Sequence, residues 1–205
     1  MLQELKRLMR ETAVYGLSTV VGRLLNLLLL PLYTHALPPA EYGLVATVFS
    51  YIAFLTVLYS HGMDFAFMRH YKEEAATDAR RLVFSTALWS LTFWSLLVSL
   101  ALHLGARPLA LAAGLPDSLC DVVRYSAWVL AFDAMALVPF AHLRMRHRAG
   151  AYAGVKVANI VINLALNYVF LVTMGLGVRG VFLASLVTSC ATLMILLPVL
   201  AEEAR

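Results

Sequence analysis

Six long apolar runs dominate the sequence, at residues 12–33, 42–63, 82–104, 122–143, 152–174 and 180–200, and they leave almost nothing between them for an aqueous domain. Each reaches the ~20 residues of helix that cover a hydrocarbon layer ~30 Å thick. Inside that layer the backbone must satisfy its own hydrogen bonds, so only helices and closed barrels can cross it. Barrel strands need about 9–11 residues and alternate strictly. These runs are much longer and do not alternate. The expected fold is all-α and integral to the membrane: a bundle of six transmembrane helices forming a single membrane domain over residues 1–205. Composition agrees, since 61% of the chain is apolar and 14% charged, more apolar surface than a soluble core of this size can hide. The opening Lys6, Arg7 and Arg10 resemble the charged start of a signal peptide, but the run behind them is too long for one, and a retained first helix is expected.

Eleven lysines and arginines fall on one side of such a bundle: Lys6, Arg7, Arg10, Arg69, Lys72, Arg80, Arg81, Arg144, Arg146, Arg148 and Arg205. Only Arg107, Arg124 and Arg179 fall on the other. Positive loops stay inside, so both termini and the loops near residues 69–81 and 144–150 are expected in the cytoplasm, with the protein in the cytoplasmic (inner) membrane. The net charge of +4 is then a matter of topology and gives no case for nucleic acid as a partner.

Turn residues mark the connections. Leu37 to Tyr42 (LPPAEY) reads as a tight outer turn with Pro39 starting the next helix, and Lys72 to Asp78 as a short charged inner loop. Residues 105–121 form the longest outer connection, in which LALAAGL is expected to lie along the interface as a short helix. Gly175, Gly177 and Gly180 allow a sharp turn between the last two spans.

A few polar residues interrupt the runs. Arg23 stands near the middle of the first, at a depth where a guanidinium costs roughly 2.5–3.5 kcal/mol on insertion scales. Asn26, three residues on, shares its face. The pair either bonds a neighbouring helix or contacts an anionic solute, and the second reading is preferred because arginine grips phosphate bidentately. Lys156, Asn159, Asn163 and Asn167 form one stripe down the fifth span. Hydrogen bonding between helices is the preferred account of the asparagines, with Lys156 close enough to the cytoplasmic end to snorkel. Asp133, midway along the fourth span, either pairs with Arg23 or Lys156 or binds a proton or cation during transport. His61 and Asp64 read as an interfacial cap close to Arg69, and Pro31 and Pro139 as kinks. Cys120 and Cys190 are not expected to form a disulfide, and no histidine spacing suggests a metal. No cofactor is expected.

Catalysis is not expected either. The clustered Lys, Arg and His signature of a membrane-lipid phosphatase is missing, and neither Glu73-Glu74 nor Glu202-Glu203 is followed by the Arg and His of an intramembrane protease.

Residues 15–71 resemble the opening of polysaccharide flippases of the multidrug, oligosaccharidyl-lipid and polysaccharide exporter superfamily. The segments GRLLNLLLLPLYT around Arg23, LPPAEYGLV and GMDFAFMRHY leading to Arg69 carry the resemblance. A second block, NIVINLALNYVFLVTMGLGVRGVFLASLVTS from Asn159 to Ser189, is similar to the fifth and sixth helices of that family. The resemblance implies a transporter that carries lipid-diphosphate-linked oligosaccharide across the membrane by alternating access. Arg23 and Asn26 would then face a cationic cavity and meet the diphosphate, and Arg69 would serve the cavity or a cytoplasmic gate. Family members have twelve to fourteen helices in two lobes, so six helices correspond to the amino-terminal lobe. A missing carboxy-terminal lobe, or a second copy of the chain, is the implied partner, with truncation the preferred reading. Glycan polymerases or glycosyltransferases are further expected companions. Two rivals remain: a multidrug exporter of the same superfamily, which needs cavity carboxylates and finds only Asp133, and a non-transporting scaffold of a glycan-assembly complex, in which the polar residues serve packing alone.

Overall fold

The computed structural model describes residues 29–74 and 76–204, together with the helical Gly16 and Val20. Most of the first expected span, including Arg23 and Asn26, lies outside the described residues. From Leu29 on, the chain is helical with short breaks: α1 (Leu29–Ala36), α2 (Pro39–Ser60), α3 (Met63–Glu73), α4 (Thr77–Leu104), α5 (Ala106–Ala112), α6 (Cys120–Met145), α7 (Ala149–Tyr168) and α8 (Gly177–Ala204). Among the described residues, five helical stretches are long and apolar enough to cross a membrane: Pro39–Glu73, Asp78–Leu104, Asp117–Met145, Ala149–Thr173 and Gly177–Leu200. These correspond to the second through sixth runs, so the six-helix expectation is met for the five runs that are described.

The surface shows why a bilayer is needed. Phe54, Val57, Phe93 and Leu104 are each more than 70% exposed, and Trp89 and Leu82 nearly so. A soluble protein of this size does not present so much contiguous hydrocarbon to water. Lipid is the solvent for these faces, and the chain is a multi-pass membrane protein.

At the centre is α6, buried over most of its length and packed chiefly against α4 and α8. Its sequence explains the position. Ala127, Ala131, Ala134 and Ala141 recur at helical spacing and are all buried; small side chains let neighbouring backbones approach, which is how membrane helices pack without a hydrophobic drive between them. Against this face stand Leu91 of α4, Tyr59 of α2 and Phe67 of α3. Ser99 of α4, fully buried, bonds the Tyr59 hydroxyl at 2.7 Å and donates to the Ala127 carbonyl at 2.7 Å. These bonds tie three helices together.

The second span is longer than its apolar run suggests, and it is broken. His61 (φ 32°) and Gly62 (φ 75°) are both in the left-handed region, which stops α2 and restarts the chain as α3. Gly62 takes that conformation without a Cβ penalty. Asp64 lies in the first turn of α3, where a carboxylate suits the helix dipole, while the His61 ring stacks edge-on to Trp94. Beyond α3, Arg80 of α4 donates to the Glu74 carbonyl at 2.7 Å and stands over the Tyr71 ring.

At the opposite end, Pro38 caps α2 and Pro39 begins it, as the LPPAEY turn anticipates. The long connection forms the short helix α5 and a 3-10 turn at Asp117–Leu119. The three arginines of this end are all engaged. Arg107 pairs with Asp117 at 3.4 Å, Arg124 with Asp121 at 3.2 Å, and Arg179 reaches Asp121 at 3.8 Å and the Ser118 carbonyl. Cys120 and Cys190 are free thiols.

Candidate functional site

The polar residues of the fifth span meet those of the sixth. Asn159 of α7 donates to the Thr192 hydroxyl of α8 at 2.7 Å, and Asn163 to the Thr188 hydroxyl at 3.3 Å. Thr188 and Thr192, four residues apart, each donate in turn to a carbonyl one turn back in α8, those of Ala184 and Thr188. Asn167 is fully buried; its amide donates to the carbonyl and side-chain oxygens of Asn163 at 2.9 and 3.0 Å, and its own oxygen accepts the Tyr33 hydroxyl of α1 at 3.0 Å. The three asparagines are thus the rungs of a polar seam that joins α1, α7 and α8, the helix-bridging role expected for them. Just past Asn167, α7 widens into a π turn at Val169–Thr173.

The seam also borders open space. Asn163 also lines a cavity of about 340 Å³ between α1, α2, α7 and α8, whose wall includes Tyr33, Tyr42, Phe49 and Ser185. That volume lies at the lower end of the roughly 300–1,000 Å³ usual for small-molecule sites. Hydroxyl and amide groups set among aromatic rings are suited to polar, uncharged surfaces such as sugar.

Asp133 and Lys156 stand on the packed helices α6 and α7. Asp133 is exposed midway along α6, with its carboxylate facing the Ser189 hydroxyl of α8 and within electrostatic reach of Lys156 on α7. Lys156 is half-buried, its ammonium 4.3 Å from the centre of the Phe140 ring. Opposite charges on adjacent helices lower each other's cost in the membrane. Arg69 stands apart from this group: on α3, with a side chain 77% exposed, it pairs with Glu73 at 3.1 Å. Of the residues singled out from sequence, the structure therefore brings Lys156 within electrostatic reach of Asp133 without an ion pair between them, continues the asparagine stripe along α7, and places Arg69 at the basic surface. Arg23 and Asn26 fall outside the described residues.

Sequence reasoning missed the partners on the sixth span. Ser185, Thr188, Ser189 and Thr192 are the polar positions of an otherwise apolar stretch, and their spacing of three, one and three puts them on one helix face. That spacing was the available signal. Tyr33 offered none, because an aromatic residue at a span end reads first as an interface anchor.

No curated protein and no solved structure matches the chain significantly. A family model described as polysaccharide biosynthesis protein does match, over residues 14–203. That match takes in all the described spans and the whole polar seam, and the chain belongs to this family of polysaccharide biosynthesis membrane proteins.

Proposed function

We propose that the chain is a lobe of a membrane transporter that moves lipid-diphosphate-linked oligosaccharide across the cytoplasmic membrane by alternating access, without making or breaking a covalent bond. The observation that carries this reading is the polar seam of α7 and α8, with Asp133 and Lys156 at one end and the cavity at Asn163 along it, in a chain of a polysaccharide biosynthesis family. Ionisable groups held within a membrane mark solute or ion paths. In this reading the asparagines, Tyr33 and Ser185 meet sugar. Arg23 and Asn26 hold the diphosphate, Arg69 guards the basic end, and Asp133 with Lys156 couples transport to an ion or holds the path open. The basic end faces the cytoplasm, with both termini. A translocation path needs a second wall, so the working unit includes a second lobe, supplied by further chain or by a second copy. Glycan polymerase or glycosyltransferases would act on either side of the transport step.

The test is the exposure of lipid-linked sugar on the outer face of cells, normalised to folded protein. Asp133→Asn and Arg23→Gln should each reduce exposure by roughly tenfold or more, the factor attached to losing one charge-assisted contact, with membrane insertion unchanged. Normal exposure in both variants would leave a scaffold role instead.

A further inference from the structure

At the basic end, on the seam between α4 and α8, an open groove of about 610 Å³ is lined by Asp78, Arg81, Leu82, Phe84, Ser85, Leu88, Trp89 and Leu200. We propose that it binds a phospholipid whose head carries both a phosphate and a primary amine, with Arg81 meeting the phosphate and Asp78 the ammonium. The proposal does not depend on the transport reading.

The chemistry is ordered by depth. Asp78, Arg81, Ser85 and Trp89 follow one another at steps of three and four, so they share a face of α4, and each step descends about one turn, ~5.4 Å. Charges stand at the helix start, the Ser85 hydroxyl comes next, then the indole of Trp89, with Leu82, Phe84, Leu88 and Leu200 as the apolar part of the lining. A glycerophospholipid has the same order: ionic head, ester oxygens, hydrocarbon. Tryptophan is the side chain enriched at this boundary, and Trp89 is 69% exposed.

The two charges are unspent. Arg80, next in sequence, is engaged by the Glu74 carbonyl and the Tyr71 ring. Arg81 is half-buried, and neither it nor Asp78 has an ion pair or side-chain hydrogen bond among the described residues. A half-buried guanidinium facing a groove suits a bidentate phosphate contact. The carboxylate narrows the choice. It opposes a purely anionic head, including a polyprenyl diphosphate, and a quaternary ammonium cannot donate a hydrogen bond to it. A primary amine can, and the two side chains, with Cβ atoms roughly 5–6 Å apart, suit a head whose phosphate and amine are joined by a two-carbon link.

The experiment equilibrates the purified full chain with vesicles of phosphatidylethanolamine, phosphatidylglycerol and phosphatidylcholine in equal amounts and counts retained lipid by native mass spectrometry. The wild type should retain the ethanolamine lipid roughly tenfold over the other two, as one charge-assisted contact allows. Asp78→Asn should erase its preference over phosphatidylglycerol, and Arg81→Gln should lower retention of all three. Trp89→Leu, which leaves both charges in place, should weaken retention without changing the preference, and so separates recognition from misfolding. Equal retention of the three lipids by the wild type, or an unchanged preference in Asp78→Asn, would overturn the proposal. So would displacement of the ethanolamine lipid by an equal amount of polyprenyl diphosphate, which would assign the groove to the transport substrate.

Discussion

Asn167 and Asn159 occupy the same stripe, yet their environments predict different costs. Asn159 makes one side-chain bond, to Thr192; Asn167 is fully buried and joins Tyr33 to Asn163. Replacing Asn159 by Ala should cost about 0.6 kcal/mol, the average for a hydrogen bond in a membrane bundle, whereas Asn167→Ala should approach the ~1.7 kcal/mol upper end, because it strands the Tyr33 hydroxyl as well. Unfolding in detergent measures both. Asn163→Ala should differ again: it removes the bond to Thr188 and the side-chain oxygen that accepts from Asn167, so it should cost about twice what Asn159→Ala does, and because Asn163 lines the cavity, transport per folded molecule, on the proposed reading, should fall as well. Equal transport in all three variants would assign the seam to packing alone. The stripe itself was legible, since a spacing of three and four residues fixes a helix face. Its partners were not, because which face of α8 turns toward α7 is decided by packing between spans, to which no single run of sequence testifies. Asp133 was legible as the deep carboxylate for the same reason that it is costly, whereas its approach to Ser189 is a property of the assembled bundle.

The connections between elements were read more fully than the elements' ends. The α7–α8 turn is glycine-rich, and the positive φ of Gly175 and Gly177 bears out the sharp turn read from them, while close packing adds a second reason at Gly177 and supplies the reason at Gly180. Gly177 has φ 56°, and a Cβ there would come within 3.0 Å of the Glu41 carboxylate at the start of α2. Gly180 has no special φ, but a Cβ would lie 3.1–3.2 Å from Leu176, Leu171 and Phe170. Gly180→Ala should therefore cost about 1–3 kcal/mol by overpacking, and Gly177→Ala a further strain of about 1–2 kcal/mol for a left-handed alanine. Both should lower the thermal midpoint in detergent, and Gly154→Ala, inside α7 with open space around it, serves as the control that should hold or gain stability, by about 0.5–1 kcal/mol. A Gly180→Ala protein as stable as that control would mean that the π turn shifts to make room. The break at His61–Gly62 escaped the apolar count because hydrophobicity runs on to Met63, and hydropathy carries no information on φ; the adjoining His-Gly pair was its only local trace.

For the whole molecule, the decisive pattern is the distribution of charge over the two ends of the bundle. The arginines at the end that holds α5 are held by Asp117, Asp121 and Ser118, so that end presents little uncompensated positive charge. The other end carries Arg69, Lys72, Arg80, Arg81, Arg144, Arg146 and Arg148 on the helix ends around two connections, between α3 and α4 and between α6 and α7. The orientation rule counts lysines and arginines in short loops and gives acidic residues little weight, so it favours the same end as the net field does. A reporter inserted at Asp78 or fused after Arg205 should therefore be cytoplasmic, and one inserted near Asp117 external. The two described connections and the far-end loop also test the fold, because α4 and α6 must cross in opposite senses for the assignments to alternate. An external signal at Asp78 with a cytoplasmic one at Asp117 would invert the orientation while keeping the helices. Signals on the same side at both sites would break the crossing of α4 itself, and with it the packing of Ser99 against Ala127 on which the central position of α6 rests.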